Sequence, residues 1–338
     1  MISILRRKRF WATVLGLGFL VWCLYDLDVS QVGLIVKSLK YGYLLWAMAV
    51  VVGILYVRST RWRILVHPIK PIASGRMFSI YAVGQLGNLL FPAGTGTALR
   101  VILLHRKEGV SKTGGASTVM LETLMDALSL ALFMVGASAA LVLPGWLQRG
   151  KVWGAVLITA ILVVFILMVQ LRHVVGRFVD RLERKLSPKW YKRVHTLWAN
   201  FQEGISSLRS MKHMTLAFFT SVASWLGQLA VISLLLYAFG FVLPPGAALV
   251  LMVVNTLLMV VPVTPGNVGT YQVATVFGLS LFGVPKTDAV SYGVVLQAAT
   301  FVPILTVGLY QYFRHNWSLK IPEEDSAEEE IAPQRVPQ

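Results

Sequence analysis

Three ionisable side chains sit within apolar stretches of this chain, and they are the residues best suited to chemistry. Glu122 and Asp126 fall in the apolar run 116–143 at positions i and i+4, which places both carboxylates on one face of a helix. Arg100 lies in the short apolar run 97–104 just before them. A charge at the centre of a membrane helix costs roughly 2.5–3.5 kcal/mol on insertion scales, so such groups find partners or serve a ligand. The nearest partners of Arg100 are Glu122 and Asp126, and Arg61 or Arg63 can also reach in. One reading is an ion network that holds helices together. The other is a guanidinium fork offered to a phosphate or carboxylate. Residue types alone admit both.

Neutral hydrogen-bonding residues gather near this set and at one further place. Asn88, Thr95 and Thr97 accompany Arg100, while Asn255, Thr264, Asn267, Thr270 and Gln272 cluster later, with Gln297 beyond them. Singly, such residues in membrane helices bond a neighbouring backbone. Gathered at two breaks, they would line a polar path. The six histidines lack metal-ligand spacing, and no Walker loop or Ser/His/Asp set is visible. The expectation is therefore no catalytic residue, no metal and no cofactor.

The elements that must position these groups come in two matching copies. Gly96-Thr97 followed by Gly109-Val110-Ser111-Lys112 returns as Gly269-Thr270 followed by Gly283-Val284-Pro285-Lys286. Each copy follows an apolar stretch that holds an Asn and ends in a Pro/Gly-rich break. Pro92, Gly94 and Gly96 mark the first break, and Pro262, Pro265, Gly266 and Gly269 mark the second. Paired, interrupted apolar segments in two halves of a membrane protein point to a transporter-type site. Gene duplication in a purely structural protein leaves similar echoes. Helices beginning after Pro92 and Pro265 would aim their positive ends at an anion.

Composition confirms the setting. The 338 residues are 56% hydrophobic with 14% charged, against about 25% charged in a soluble domain, and mean hydropathy is +0.67. Formal charge is +16, yet residues 322–338 hold six acids and one base, so the rest carries +21. These bases flank apolar spans, which favours anionic lipid over nucleic acid as their partner. The single cysteine, Cys23, excludes an intrachain disulfide.

Apolar segments fall at roughly 10–25, 41–57, 77–91, 97–104, 116–143, 153–171, 214–240, 247–262, 270–283 and 289–313. A crossing needs about 20 residues, so 77–91 with 97–104 and 247–262 with 270–283 read as two short hairpins or two pairs of short, tilted helices. The expected architecture is an all-α polytopic membrane protein of two inverted-topology repeats with broken or re-entrant helices. It has six full spans plus two short helical hairpins, eight or more membrane segments in all. Residues 1–321 form the membrane domain, with repeat 1 at about 41–143 and repeat 2 at about 214–313. With the N-terminus inside, 25 Lys and Arg fall inside and five outside, Arg100 being set apart. That bias predicts cytoplasmic N- and C-termini, and it makes the first hairpin enter from the cytoplasm and the second from outside.

Residues 172–213 do not span. Apolar Trp190, Val194, Leu197, Trp198, Phe201, Ile205 and Leu208 recur at helical spacing among basic residues. This predicts an amphipathic helix, either on the cytoplasmic leaflet or packed against the spans. The acidic tail 322–338 is expected to be disordered. Arg6-Arg7-Lys8-Arg9 before residues 10–25 imitates a signal peptide, but no small-residue cleavage site follows, so a retained first helix is expected.

At the two breaks the chain resembles the flippase-like family named for the transmembrane region of lysyl-phosphatidylglycerol synthase, over roughly residues 40–313. The matching pieces are Asn88-Leu89-Leu90-Phe91-Pro92 with Gly96 and Arg100, then Glu122 with Asp126, then Pro262-Val263-Thr264-Pro265-Gly266-Asn267-Val268-Gly269. Thr97, Gly94, Thr123 and Gln272 stand where family members generally carry charges. The resemblance implies movement of a polar-headed lipid between leaflets, with a phospho- or aminoacyl-lipid as substrate. No aminoacyl-transferase domain is present in this sequence, so a transporter and not an enzyme is expected, in a bacterial or archaeal plasma membrane. Two alternatives stand beside it: a non-transporting partner of a lipid- or glycan-synthesis enzyme, and a small-solute secondary transporter. A homodimer is compatible with any of these.

Overall fold

The computed structural model of the chain describes residues 37–91, 95–140, 210–259, 267 and 269–315, with isolated helical positions between 152 and 200. The expected first helix 10–25, most of the span 153–171, most of the linker 172–213 and the tail 322–338 lie outside the described residues. Within them every regular element is a helix: α1 Tyr41–Val66, α2 Ser74–Leu90, α3 Thr95–Glu108, α4 Lys112–Ala140, α5 Met211–Ala238, α6 Ala247–Leu258, α7 Thr270–Ser280 and α8 Lys286–Arg314. Four of them, α1, α4, α5 and α8, are long and apolar enough to cross a membrane. The count of six full spans therefore rests partly on segments beyond the described residues.

The short helices fall between the long ones, in the same order in each half: 26, 17, 14 and 29 residues, then 28, 12, 11 and 29. Helix packing repeats the pattern. Each half contains the contacts of its first with its second helix, second with third, third with fourth, and first with fourth. Across the halves, α2 meets α8 as α6 meets α4, and α1 meets α8 as α5 meets α4. The remaining substantial contact joins the two first helices, α1 and α5, to each other.

Those two helices run antiparallel. The Lys40 amide donates to the Ala238 carbonyl at 3.1 Å, and Tyr43 meets Tyr237. Midway, a side chain at Gly227 would strike Ile54. At the far end the rings of His67 and His213 lie 5.4 Å apart. Leu45, Trp46 and Phe219 stand at least 60% exposed on the outer flanks of this pair, the pattern expected where hydrocarbon is the solvent.

The short helices form two hairpins at opposite ends of that pair. Close to the Val66 end of α1, Lys70 and Arg76 hold Glu108, the last residue of α3, at 3.6 and 3.2 Å. From this base α2 and α3 lie against each other with glycine facing glycine. A Cβ on Gly87 would come within 3.0 Å of the Gly96 Cα, and one on Gly84 within 2.7 Å of the Arg100 Cβ. Small residues let helix backbones approach closely where water supplies no driving force. The second hairpin sits toward the Ala238 end of α5, where Phe239 and Phe241 pack on Tyr292 of α8. There Gly278 of α7 faces Leu251 of α6.

Two boundaries differ from the apolar pattern. The expected span 41–57 continues as helix to Val66, because Arg61 is buried at 1% exposure among polar partners and so does not end the membrane segment. Arg61 thus lies within α1 and not in the loop that follows it. Gly96, expected as a hinge, is helical within α3 and serves close packing. Gly269 does break the chain, with φ at 84° immediately before α7.

Candidate functional site

The ionisable residues converge where α1, α3, α4 and α5 meet. Arg61 is the hub. Its Nη2 donates to Glu122 Oε1 at 2.7 Å and to Asp126 Oδ2 at 2.9 Å, while Nη1 donates to Asp126 Oδ1 and to Ser221 Oγ. The i, i+4 spacing of the two acids is what lets one planar guanidinium engage both. Arg100 Nη2 donates to the other oxygen, Glu122 Oε2. Glu122 is thus shared by two cations, and Asp126 is held by Arg61 and by the Trp225 indole N–H at 3.2 Å. Arg63, the alternative partner, forms none of these pairs.

Aromatic rings complete the enclosure. The Arg100 guanidinium lies 4.7 Å from the centroid of the Trp62 ring and 5.1 Å from that of Tyr81. Ring faces attract a cation that hydrocarbon does not solvate. Trp62 in turn donates to Thr118 Oγ1 at 3.0 Å, which fixes the ring. Two arginines against two carboxylates leave the set neutral, so its burial costs far less than four isolated charges would. Arg61, Arg100 and Glu122 are each at most 5% exposed. The Asp126 side chain, 32% exposed, is the accessible member. Arg100 also keeps unfilled capacity, since its Nε and Nη1 have no partner among the described residues.

The second half carries a neutral counterpart. Gln272, near the start of α7, donates from Nε2 to Gln297 Oε1 of α8 at 2.7 Å. It joins α7 to α8 as the Arg100–Glu122 pair joins α3 to α4 in the first half. Gln272 also accepts the Gly269 amide at 2.8 Å and so caps its own helix. In the first half, Asn88 Oδ1 accepts the Thr97 amide at 3.2 Å and clasps α2 to α3. Asn255 lies near the end of α6 and Thr270 opens α7, yet both polar atoms of the Asn255 side chain and the Thr270 hydroxyl have no partner among the described residues. Thr95 opens α3. Pro92, Gly94, Pro262, Thr264, Pro265 and Gly266 lie outside the described residues.

Pattern reasoning does not single out Ser221, Trp225, Tyr81 or Thr118, and it reads Trp62, near a span end, as an interface anchor, whereas the structure buries that ring completely. Ser221 and Trp225 are themselves i and i+4 on α5, a spacing that mirrors Glu122 and Asp126. Thr123, beside Glu122 on α4, is exposed and donates its hydroxyl to the Val119 carbonyl of its own helix at 3.0 Å.

An all-helical, multi-pass membrane protein with a buried, charge-balanced cluster is the class these observations define. The chain belongs to the family described as the lysylphosphatidylglycerol synthase TM region, whose model matches residues 9–308. It is similar to glycosyltransferase AglD of Haloferax volcanii, 27% identical over 73% of this chain and 44% of the relative. It is also similar to a UPF0104 membrane protein of Methanothermobacter thermautotrophicus, 22% identical over 89% of this chain and 92% of the relative. The chain thus spans under half of the length of AglD. No solved structure matches it.

Proposed function

We propose that the protein moves a polar-headed lipid between the leaflets of a membrane, through two inverted-topology repeats. The observation that carries this reading is the Arg61–Glu122–Asp126–Arg100 cluster, buried where the two halves meet. Inversion is supported by the antiparallel pairing of α1 with α5, the equivalent helices of the two halves. The hairpins at opposite ends of that pair support it too. Broken helices at membrane depth are tolerated where they line a cavity or are buried in protein. The partly exposed side chain of Asp126 and the buried, unpartnered nitrogens of Arg100 are the groups that would meet a headgroup carrying phosphate or an amine. The excess of Lys and Arg on one side favours cytoplasmic termini.

The test is movement of a headgroup-labelled lipid in vesicles reconstituted with the purified chain. Arg100→Gln should lower the rate while wild-type amounts of folded protein are recovered. Unchanged movement at equal abundance would remove Arg100 from the mechanism.

A second reading is a membrane partner for a lipid- or glycan-synthesis enzyme. The likeness to a protein named glycosyltransferase favours it. Under that reading, deleting residues 322–338 and disturbing 172–213 would abolish function, while Arg100→Gln would be silent.

A further inference from the structure

The second break holds more unmet hydrogen-bonding capacity than any other neutral part of the described structure. Asn255 Nδ2 and Oδ1, Asn267 Oδ1 and Thr270 Oγ1 are all shielded from solvent, and none has a partner among the described residues. Asn255 and Thr270 are each 5% exposed. Buried polar groups are almost always satisfied, so four orphaned atoms on one hairpin call for a cause. The matching first hairpin shows that the fold can satisfy them, since there Asn88 clasps the Thr97 amide. In the second hairpin the equivalent clasp is open. Asn267 and Gly269 have positive φ, 54° and 84°, and Gly269 immediately precedes α7. The first-turn amides of α7 add further donors that the helix itself does not use.

We propose that Asn255, Asn267 and Thr270 form a subsite for the uncharged, hydroxyl-bearing part of a lipid headgroup, a sugar ring being the chemistry that fits. An asparagine amide offers a donor and an acceptor side by side, which matches two neighbouring hydroxyls. A second acceptor from Asn267 and a hydroxyl from Thr270 extend that pattern. Neither α6 nor α7 carries an Asp, Glu, Lys or Arg, so these two helices bring no countercharge of their own for an ionic group. Gln272, two residues along from Thr270, is already paired with Gln297 at 2.7 Å. Charge recognition belongs to the Arg100 side and hydroxyl recognition to this one. The inference rests on the lipid-translocating reading and divides its substrate between the two hairpins.

The experiment compares retention of glucosyl diacylglycerol and of phosphatidic acid on the detergent-purified full chain, by native mass spectrometry. Asn255→Leu and Thr270→Val should each weaken glucosyl diacylglycerol by about tenfold, the worth of one hydrogen bond, and leave phosphatidic acid unchanged. Asn255→Leu should also raise the thermal midpoint of lipid-free protein, because it removes two orphaned groups. Unchanged glucolipid retention, equal loss of both lipids, or a lower lipid-free midpoint would each overturn the subsite. Vesicle assays separate this from the parent reading. Asn255-dependent retention without transbilayer movement in the wild type sinks transport and keeps the subsite, and movement without Asn255-dependent retention does the reverse.

Discussion

Arg61 and Asp126 face each other with both terminal nitrogens of the guanidinium on the two carboxylate oxygens. They stand 65 residues apart in sequence, on α1 and α4. Removing Arg61 leaves Asp126 with a single indole partner and Glu122 with one cation. Arg61→Met should therefore destabilise the protein by about 3–5 kcal/mol, the usual cost of orphaning one member of a buried pair. Arg61→Met with Asp126→Asn keeps the neutral Arg100–Glu122 pair and should lose clearly less. Thermal melts of detergent-purified single and double variants check the sign of that coupling.

Trp225 reaches the same carboxylate from the other half. Trp225→Phe keeps the ring that lies against Phe133 at 6.5 Å but deletes the donor at 3.2 Å. A loss of about 1 kcal/mol is expected, somewhat more because the acceptor is charged. A variant as stable as wild type in the same melt would show that Arg61 alone satisfies Asp126.

Glycines in this chain should divide sharply by what surrounds them. A Cβ at Gly96 would run into the Gly84 carbonyl and the Asn88 backbone, so Gly96→Ala should separate α2 from α3 and reduce recovered protein. Gly53, midway along α1, has nothing within 4 Å. Gly53→Ala should be neutral or stabilise by about 0.5–1 kcal/mol through helix propensity. Equal behaviour of the two variants in expression and melting would contradict the glycine contact.

Opposed hairpins make a topological prediction. In a Cys23→Ser background, Lys70→Cys at the base of the first hairpin and Lys286→Cys at the base of the second should react with a membrane-impermeant maleimide from opposite faces. Lys70→Cys should label only from the cytoplasmic side. Labelling of both from one side would overturn inverted topology.

Much of the architecture was legible because apolar runs and punctuation report directly on helices in a membrane. The pairs of short segments, Gly269 as a break, and Glu122 with Asp126 on one helical face were all readable from spacing. The role of Arg61 was harder to see. It follows an apolar run and sits among Arg58 and Arg63, so local sequence reads it as an interfacial charge. Only the packing of α1 against α4 and α5 explains why helix continues through it. Ser221 and Trp225 were missed for the same reason, being ordinary residues made polar partners by a neighbour distant in sequence. The contrast between Asn88 and Asn255 was also beyond pattern reading, since each is an Asn ahead of a break and residue type does not say whether its side chain clasps the next helix.

All four charged members of the cluster come from α1, α3 and α4, and so from one half of the molecule. What crosses from α5 is neutral: the hydroxyl of Ser221 and the indole of Trp225. A slide of one half past the other would accordingly strip away two uncharged contacts while every opposite charge travels with its mate. The electrostatic cost of such a motion stays low, and the seam between the halves can shear without ever baring a lone ion to hydrocarbon.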